Sequence, residues 1–494
     1  MKASFVMIRE VDVTNTYPPL GILTIGTYLD SEGHETTVHD VLAGEEDFIE
    51  EIARFQPDMI GFSMQTPQYA ITEEYFLKMK QGTRFKDTLF CVGGIHGTAM
   101  PEETLRNFGN GKLDFVVCGE GEITILEIAN QNGEFRNVEG VAYLNELDMF
   151  VFNPRKKFVE DLSSLPIPNR EKIDFQSYLL PPGMIRGKIL QRVTPVMTSR
   201  GCPWNCTFCC GSLMFSRKVR RRSVAHCIEE LNELIAKWDI DGVMFMDDIF
   251  TLNKSWLKKF LAEFVRLPKK LEWGCASRVD TLDDETLGLL KKYNCSQVEF
   301  GVESGSNRIL KLINKKITQN QIFEIFDKTH AVGIRTGASF QVGHPYETID
   351  DVKETYKVVQ RIKSDYTVVF FSTPFPGSKF YDLSVENDWF VENDSFDNKW
   401  TIRQSEYPIV EAGLTLEEAK YWRNKIQNSV WQRNYINWAN LRFAATIGLF
   451  YMLNPKRLFF AIGRTFKNKR LDELVEVGLN LYLEQTAKRQ PKQR

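Results

Sequence analysis

Four of the nine cysteines of this 494-residue chain fall within nine positions, in TSRGCPWNCTFCCGS at 198–212. Cys202, Cys206 and Cys209 have the spacing C-x3-C-x2-C. Thiolates are soft ligands that suit iron–sulfur clusters and zinc. Three such ligands on one loop hold three corners of a four-iron cubane and leave one iron open to another molecule. Cys210 adjoins Cys209, and adjacent residues seldom point at the same cluster, so it reads as a wall residue. Zinc loops use C-x2-C pairs with a second pair elsewhere. The remaining cysteines (Cys91, Cys118, Cys227, Cys275, Cys295) form no such pair.

The elements that must position this loop alternate strand and helix on both sides of it. Over 1–130, SFVMI, TTVHDV, MIGFSM, LFCVGGI and DFVVCGE read as strands, with helical stretches such as PLGILTIGTYLDS, ITEEYFLKMKQ and EITILEIANQ between them. This pattern predicts an N-terminal Rossmann-like, doubly wound parallel sheet. In such sheets ligands bind at the carboxyl ends of the strands. Those ends carry Ser63, Gln65 and Thr66; Gly93, Gly94 and His96; and Gly119, Glu120, Gly121 and Glu122. From 136 to 190 the pattern breaks into Pro-rich turns (LSSLPIPNR, LLPPGMIRG), which reads as a linker. From 191 to 385 strand and helix alternate again in about six units, which predicts a partial (β/α)6 TIM-type barrel. Ser223 is placed to cap the helix beginning VAHCIEELNELIAKW. Residues 386–494 read as a mostly helical, aromatic-rich C-terminal cap.

RGCPWNCTFC, with Phe208 before the third cysteine, resembles the signature loop of the radical S-adenosylmethionine superfamily. The likeness extends through FMDDIF, SRVD, FGVESGS, VGHPYET and TPFPGSKFY, in order, after successive strands. It implies a 4Fe-4S cluster on Cys202, Cys206 and Cys209 whose open iron chelates S-adenosylmethionine. Reductive cleavage then gives a 5′-deoxyadenosyl radical. It further implies that Asp247 and Asp248 accept hydrogen bonds from the ligand's ammonium or ribose. Arg278 would pair bidentately with its carboxylate. Glu303 and Ser304 would lie at the ribose, and Gln341, Val342 and Gly343 near the adenine.

The block YPPLGILTIGTYLDSEGHETTVHD, followed by GFS, VGGIH and CGEGE, is similar to the cobalamin-binding domain that precedes many of these barrels, over about 1–135. The D-x-H-x-x-G loop that places a histidine under cobalt is missing, since none of the six histidines has that context. The joined family therefore implies cobalamin without a protein histidine on the metal. The expected activity is methyl transfer to an unactivated carbon. The alternatives are a radical cyclase or rearrangement enzyme on a tetrapyrrole or lipid-like molecule, and a non-catalytic cobalamin or redox sensor. Methylthio transfer needs three further upstream cysteines, and only Cys91 and Cys118 precede Cys202.

A net charge of −3 argues against nucleic-acid binding. The expected partners are a small-molecule substrate, apolar or polycyclic, and a flavodoxin or ferredoxin as electron donor. No 18-residue apolar run occurs, so a cytoplasmic enzyme is expected. The apolar-basic C-terminal stretch fits peripheral membrane contact as well as a cap over the barrel mouth. The run SRKVRRRS at 216–223 reads as a solvated loop feeding a helix.

Overall fold

The computed structural model describes residues 1–9, 17–155, 158–179, 185, 192–391 and 409–435. Most of the C-terminal region, including the stretch considered for membrane contact, lies outside the described residues. The chain forms two compact units. The first comprises Met1–Tyr178, Met197–Glu233 and the described part of Pro374–Gln404. The second comprises the described parts of Leu179–Val196, Leu234–Thr373 and Ser405–Arg494.

The first unit is built on strands β1 (Lys2–Arg9), β2 (Glu35–Leu42), β3 (Met59–Ser63), β4 (Leu89–Gly93), β5 (Phe115–Val117), β6 (Val141–Leu144) and β7 (Phe150–Phe152). They pair in the order β2-β1-β3-β4-β5-β6-β7. β1 to β5 are parallel, and β6 and β7 add an antiparallel hairpin. β6 and β7 fall in the stretch expected to be linker. Their short runs, VAYL and FVF, are too brief to announce strands beside polar neighbours. Helices cover both faces, so β1, β3 and β5 are almost wholly buried and their sequences run continuously apolar. One core gathers Phe62, Phe76, Phe90 and Phe108, and the other Phe5, Leu23, Phe115 and Ile128. The order reverses between β1 and β3, which opens a crevice at their carboxyl ends.

In the second unit β8 (Val193–Val196), β11 (Gly242–Phe245), β12 (Glu272–Ser277), β13 (Cys295–Glu303), β14 (Arg335–Val342) and β15 (Tyr366–Phe371) form one parallel sheet in chain order. Stepwise addition on one side is the pattern of a partial barrel. Behind it Phe245, Phe250, Phe260 and Trp273 pack ring on ring, with Phe245 and Phe250 stacked at 4.4 Å. The remaining strands, β9 (Ser199–Arg200) and β10 (Arg220–Arg221), belong to the first unit and pair antiparallel. They form the base of a hairpin whose loop carries the four clustered cysteines. Gly201 begins that loop at φ +96, and a Cβ there would stand 2.5 Å from the Lys218 carbonyl oxygen. Only glycine turns the chain here without moving the facing strand.

Candidate functional site

The cysteine loop leaves β9 and returns through β10. Cys202 and Cys206 are half-buried, Cys209 is exposed, and none of the nine cysteines is in a disulfide. The Gly211 amide donates to the Cys209 sulfur at 3.4 Å. Burial pushes the Cys210 thiol up, which suits its reading as a wall residue. Phe208 is half-buried on the same loop, and the Phe380 amide donates to the Thr207 carbonyl at 2.9 Å. Among the described residues no three His, Cys, Asp or Glu side chains are gathered to hold a metal ion. The loop therefore presents its thiols without drawing them together. As a donor set, three accessible thiols with no disulfide partner fit an iron–sulfur cluster.

Beside this loop lies a partly open cavity with about 1210 Å³ of empty space. Its floor is apolar: Phe5 of β1, Ile22 and Ile25 of the helix Leu20–Ser31, Cys91 of β4 and Ile125 of the helix Glu122–Asn130. Gly61 completes the floor, and a Cβ there would be squeezed between Phe5 at 3.1 Å and the Cys91 sulfur at 3.3 Å. The rim carries Ser63, Gly93, Gly94, Gly119, Glu120, Gly121 and Glu122 from the strand ends, and Arg200, Met214 and Phe215 from the cysteine hairpin. Gly94 has φ +94, and a Cβ would meet the Met64 carbonyl oxygen at 2.6 Å. A slot with an apolar floor and a backbone-rich rim fits a large ligand with an aromatic tail, such as cobalamin.

Three expected residues are placed differently. His96 is fully buried, edge-on to Tyr69 at 5.1 Å, with Nδ1 3.2 Å from the Thr66 hydroxyl. Burial lowers its pKa to about 4, so it is a neutral core histidine. Thr66 is buried with it, while Gln65 alone of that group is exposed. The Pro-rich stretch expected to be a free linker forms a cavity wall through Leu162, Leu165, Pro166 and Pro168. Val159, Leu162 and Leu165 pack with Tyr28.

The run 216–223 is the largest departure from expectation. Arg220 and Arg222 are buried, not solvated. Arg220 reaches Glu120 Oε2 at 2.8 Å, and Arg200 reaches Glu120 Oε1 at 3.0 Å and Glu122 Oε1 at 2.7 Å. Burial pushes the Glu122 carboxyl up, but Arg200 pulls it below the usual carboxylate range. Arg155 donates to the carbonyls of Cys118 and Glu120 and to the Thr124 hydroxyl, and burial lowers its pKa. Arg222 and Arg170 hold Glu230 between them. Burial alone would raise the Glu230 pKa; the two guanidiniums bring it down to about 2. The signal in the sequence was the spacing of Arg220 and Arg222, two apart in a strand and hence on one face.

In the second unit the strand-end residues form a polar row. Asp247 is buried and Asp248 faces solvent as a residue. Burial of the Asp248 carboxyl, then the charge of Asp247, raises its pKa. Arg278 uses its fork on Asp280, with bonds of 2.9 and 3.1 Å, and gives a further bond to the Lys315 carbonyl at 2.6 Å. The fork expected on a ligand carboxylate is thus engaged two residues along its own chain. Glu303 stands at φ +71 at the irregular end of β13. It pairs with buried Lys315 at 2.9 Å and accepts from Gln341 at 3.0 Å. Lys315 was not foreseen, since nothing marks one lysine in KLINKK. Ser304 is fully buried with its hydroxyl 3.2 Å from Thr355, so it faces the helix Ile349–Ile362. Gly343 has nothing within 4 Å of a notional Cβ, and its amide donates to Glu347 at 2.6 Å.

A family model described as the radical SAM superfamily matches residues 196–359, and one described as a B12 binding domain matches residues 9–129. An uncharacterized methyltransferase of Pyrococcus horikoshii is 32% identical over 388 residues, covering 76% of this chain and 80% of that protein. The anaerobic magnesium-protoporphyrin IX monomethyl ester cyclase of Rubrivivax gelatinosus is 27% identical over 382 residues, covering 75% and 67%. Among solved structures, the radical S-adenosylmethionine methyltransferase TsrM of Kitasatospora setae matches with a TM-score of 0.68 at 18% identity, over 87% of this chain and 88% of that one. At that identity the match establishes the shared fold.

The chain belongs to the radical S-adenosylmethionine superfamily, in the branch that carries a B12 binding domain. Its cofactors are accordingly a 4Fe-4S cluster, S-adenosylmethionine and cobalamin. Among the described residues no helix is long and apolar enough to cross a membrane.

Proposed function

We propose that this protein is a cobalamin-dependent methyltransferase acting on an unactivated carbon of a small molecule. The observation that carries this is the shared cavity: the cysteine hairpin and the glycine-bearing strand ends line one space. Cys202, Cys206 and Cys209 would hold the cluster. The slot floored by Phe5, Gly61 and Cys91 would take the aromatic tail of cobalamin, with Ser63, Gly93, Gly94, Gly119 and Gly121 approaching its ring. Asp247, Asp248, Glu303, Gln341 and Gly343 would orient S-adenosylmethionine. Together the bound cofactors supply one-electron cleavage of S-adenosylmethionine and a transferable methyl group. The residues that enclose the slot act by holding the reacting parts in fixed approach and excluding water. The methyltransferase name of the 32%-identical relative supports the reaction class.

A second reading, radical ring formation, is favoured by the 27%-identical cyclase. Methylthio transfer fits poorly. Cys91 and Cys118 are buried, and burial pushes both thiols up, Cys118 to about 12. Anaerobic reconstitution with iron, sulfide and hydroxocobalamin tests the proposal. S-adenosylhomocysteine and 5′-deoxyadenosine should form together with substrate, and Cys209→Ala should abolish both the cluster absorbance and 5′-deoxyadenosine. Bound cobalamin with 5′-deoxyadenosine as the sole nucleoside product overturns methyl transfer in favour of cyclisation.

A further inference from the structure

The cysteine loop runs from 201 to 219, and its two flanking residues, Arg200 and Arg220, are directly paired across β9 and β10. Both donate to the same carboxylate. Arg200 Nη1 takes Oε1 of Glu120 at 3.0 Å and Arg220 Nη1 takes Oε2 at 2.8 Å. The Glu120 side chain is wholly enclosed, and the Val159 amide also donates to Oε2, at 3.3 Å. Arg200 extends its second arm to Glu122, and Arg220 its second arm to the Phe215 carbonyl inside the loop. Arg155 fixes the Glu120 backbone through its carbonyl oxygen. Glu120 follows β5, on the rim of the cavity. By contrast the nearby Lys218–Glu160 pair is two-thirds exposed on both sides. Exposed pairs contribute little, whereas removing one member of a buried pair leaves an uncompensated charge.

We infer that Glu120 is a positioning residue for the cluster loop: one buried carboxylate ties both ends of the cysteine hairpin to the loop after β5, and so fixes the thiols against the cavity that would take the corrin. The inference rests on the proposed function only in taking that loop to carry a cluster and that cavity to carry cobalamin. Glu120 touches no reacting atom and acts through Arg200 and Arg220. Glu120→Gln preserves volume but turns an amide N–H toward one guanidinium. The adjoining bond is then lost, and one end of the hairpin is released. Arg200→Lys keeps a cation but cannot serve Glu120 and Glu122 together.

The test compares wild type, Glu120→Gln, Arg200→Lys and the exposed control Glu160→Gln as full-length chains. Amide hydrogen exchange is read first, before reconstitution. The inference expects exchange at the hairpin base (198–201 and 219–222) and at 119–122 to rise at least tenfold in Glu120→Gln and severalfold in Arg200→Lys. The rest of the chain and the Glu160→Gln control should stay within twofold of wild type. After reconstitution, relaxation enhancement of the cob(II)alamin resonance by the reduced cluster should weaken or spread in the first two variants, at unchanged iron content. Wild-type exchange in both variants, or a uniform rise across the chain, overturns the inference. If Glu120→Gln does not fold, Arg200→Lys decides it. If wild type binds no cobalamin, the proposed function fails while the exchange measurement still decides the positioning role.

Discussion

Glu230 offers a quantitative check on the buried charges of the first unit. Its side chain is 2% exposed, held by Arg170 at 2.5 Å and by Arg222. Burial works against its charge, but the two guanidiniums lower its pKa from 4.5 to about 2. A depressed carboxyl contributes stability that is complete above the unfolded pKa and is lost as pH falls through the folded one. Each pH unit in that window removes about 1.4 kcal/mol. Glu230→Gln should cost about 3–5 kcal/mol at neutral pH, because it leaves two enclosed guanidiniums facing an amide. The gap between wild type and variant should be constant from pH 7 to 5.5 and narrow by about 1.4 kcal/mol by pH 3.5. Urea titration with exchange read in peptides from the helix Val224–Trp238 measures this locally, which avoids assuming one transition for two units. A gap independent of pH down to 3.5 would refute the reasoning, since Glu230 would then not be held ionised by its partners.

Three further outcomes are expected. Gly201→Val forces a β-branched residue into φ +96 with a Cβ 2.5 Å from the Lys218 carbonyl oxygen; it should cost about 2 kcal/mol or more and lower the iron retained on reconstitution severalfold, read by metal analysis. Glu347 is buried, and burial raises its carboxyl to about 8 against the opposing pull of the Gly343 and His344 amides. A raised carboxyl loses stability as pH climbs, so Glu347→Gln should gain on wild type by about 1.4 kcal/mol per unit between pH 5.5 and 7.5, measured by urea melts across that range. Lys315→Met leaves buried Glu303 with only the Gln341 amide; affinity for S-adenosylmethionine by equilibrium dialysis should fall at least tenfold while cobalamin uptake is unchanged.

The parallel strands were legible because burial on both faces writes them as short apolar runs, as in SFVMI and MIGFSM. The cysteine loop was legible because its ligands are local. What hid were contacts between distant parts. Arg220 looks solvated beside Arg221 and Arg222 until Glu120, a hundred residues upstream, is brought to it by the fold. Ser304 and His96 sit in stretches whose neighbours border open space, yet their own side chains turn inward, a difference of one position that spacing does not resolve. Arg278 was given a ligand as partner because Asp280, in the same SRVD stretch, was not weighed as its acceptor.

The antiparallel pairing of β9 with β10 has a consequence for how the metal is acquired. Joining the ends of a flexible segment costs entropy that grows as about (3/2)RT ln n, and here the fold meets that cost before any iron arrives. The three sulfurs are offered as a preformed chelate, tethered at a stem too short to wander. Loading then needs only a local rearrangement of side chains, and loss of the metal leaves the surrounding domain standing.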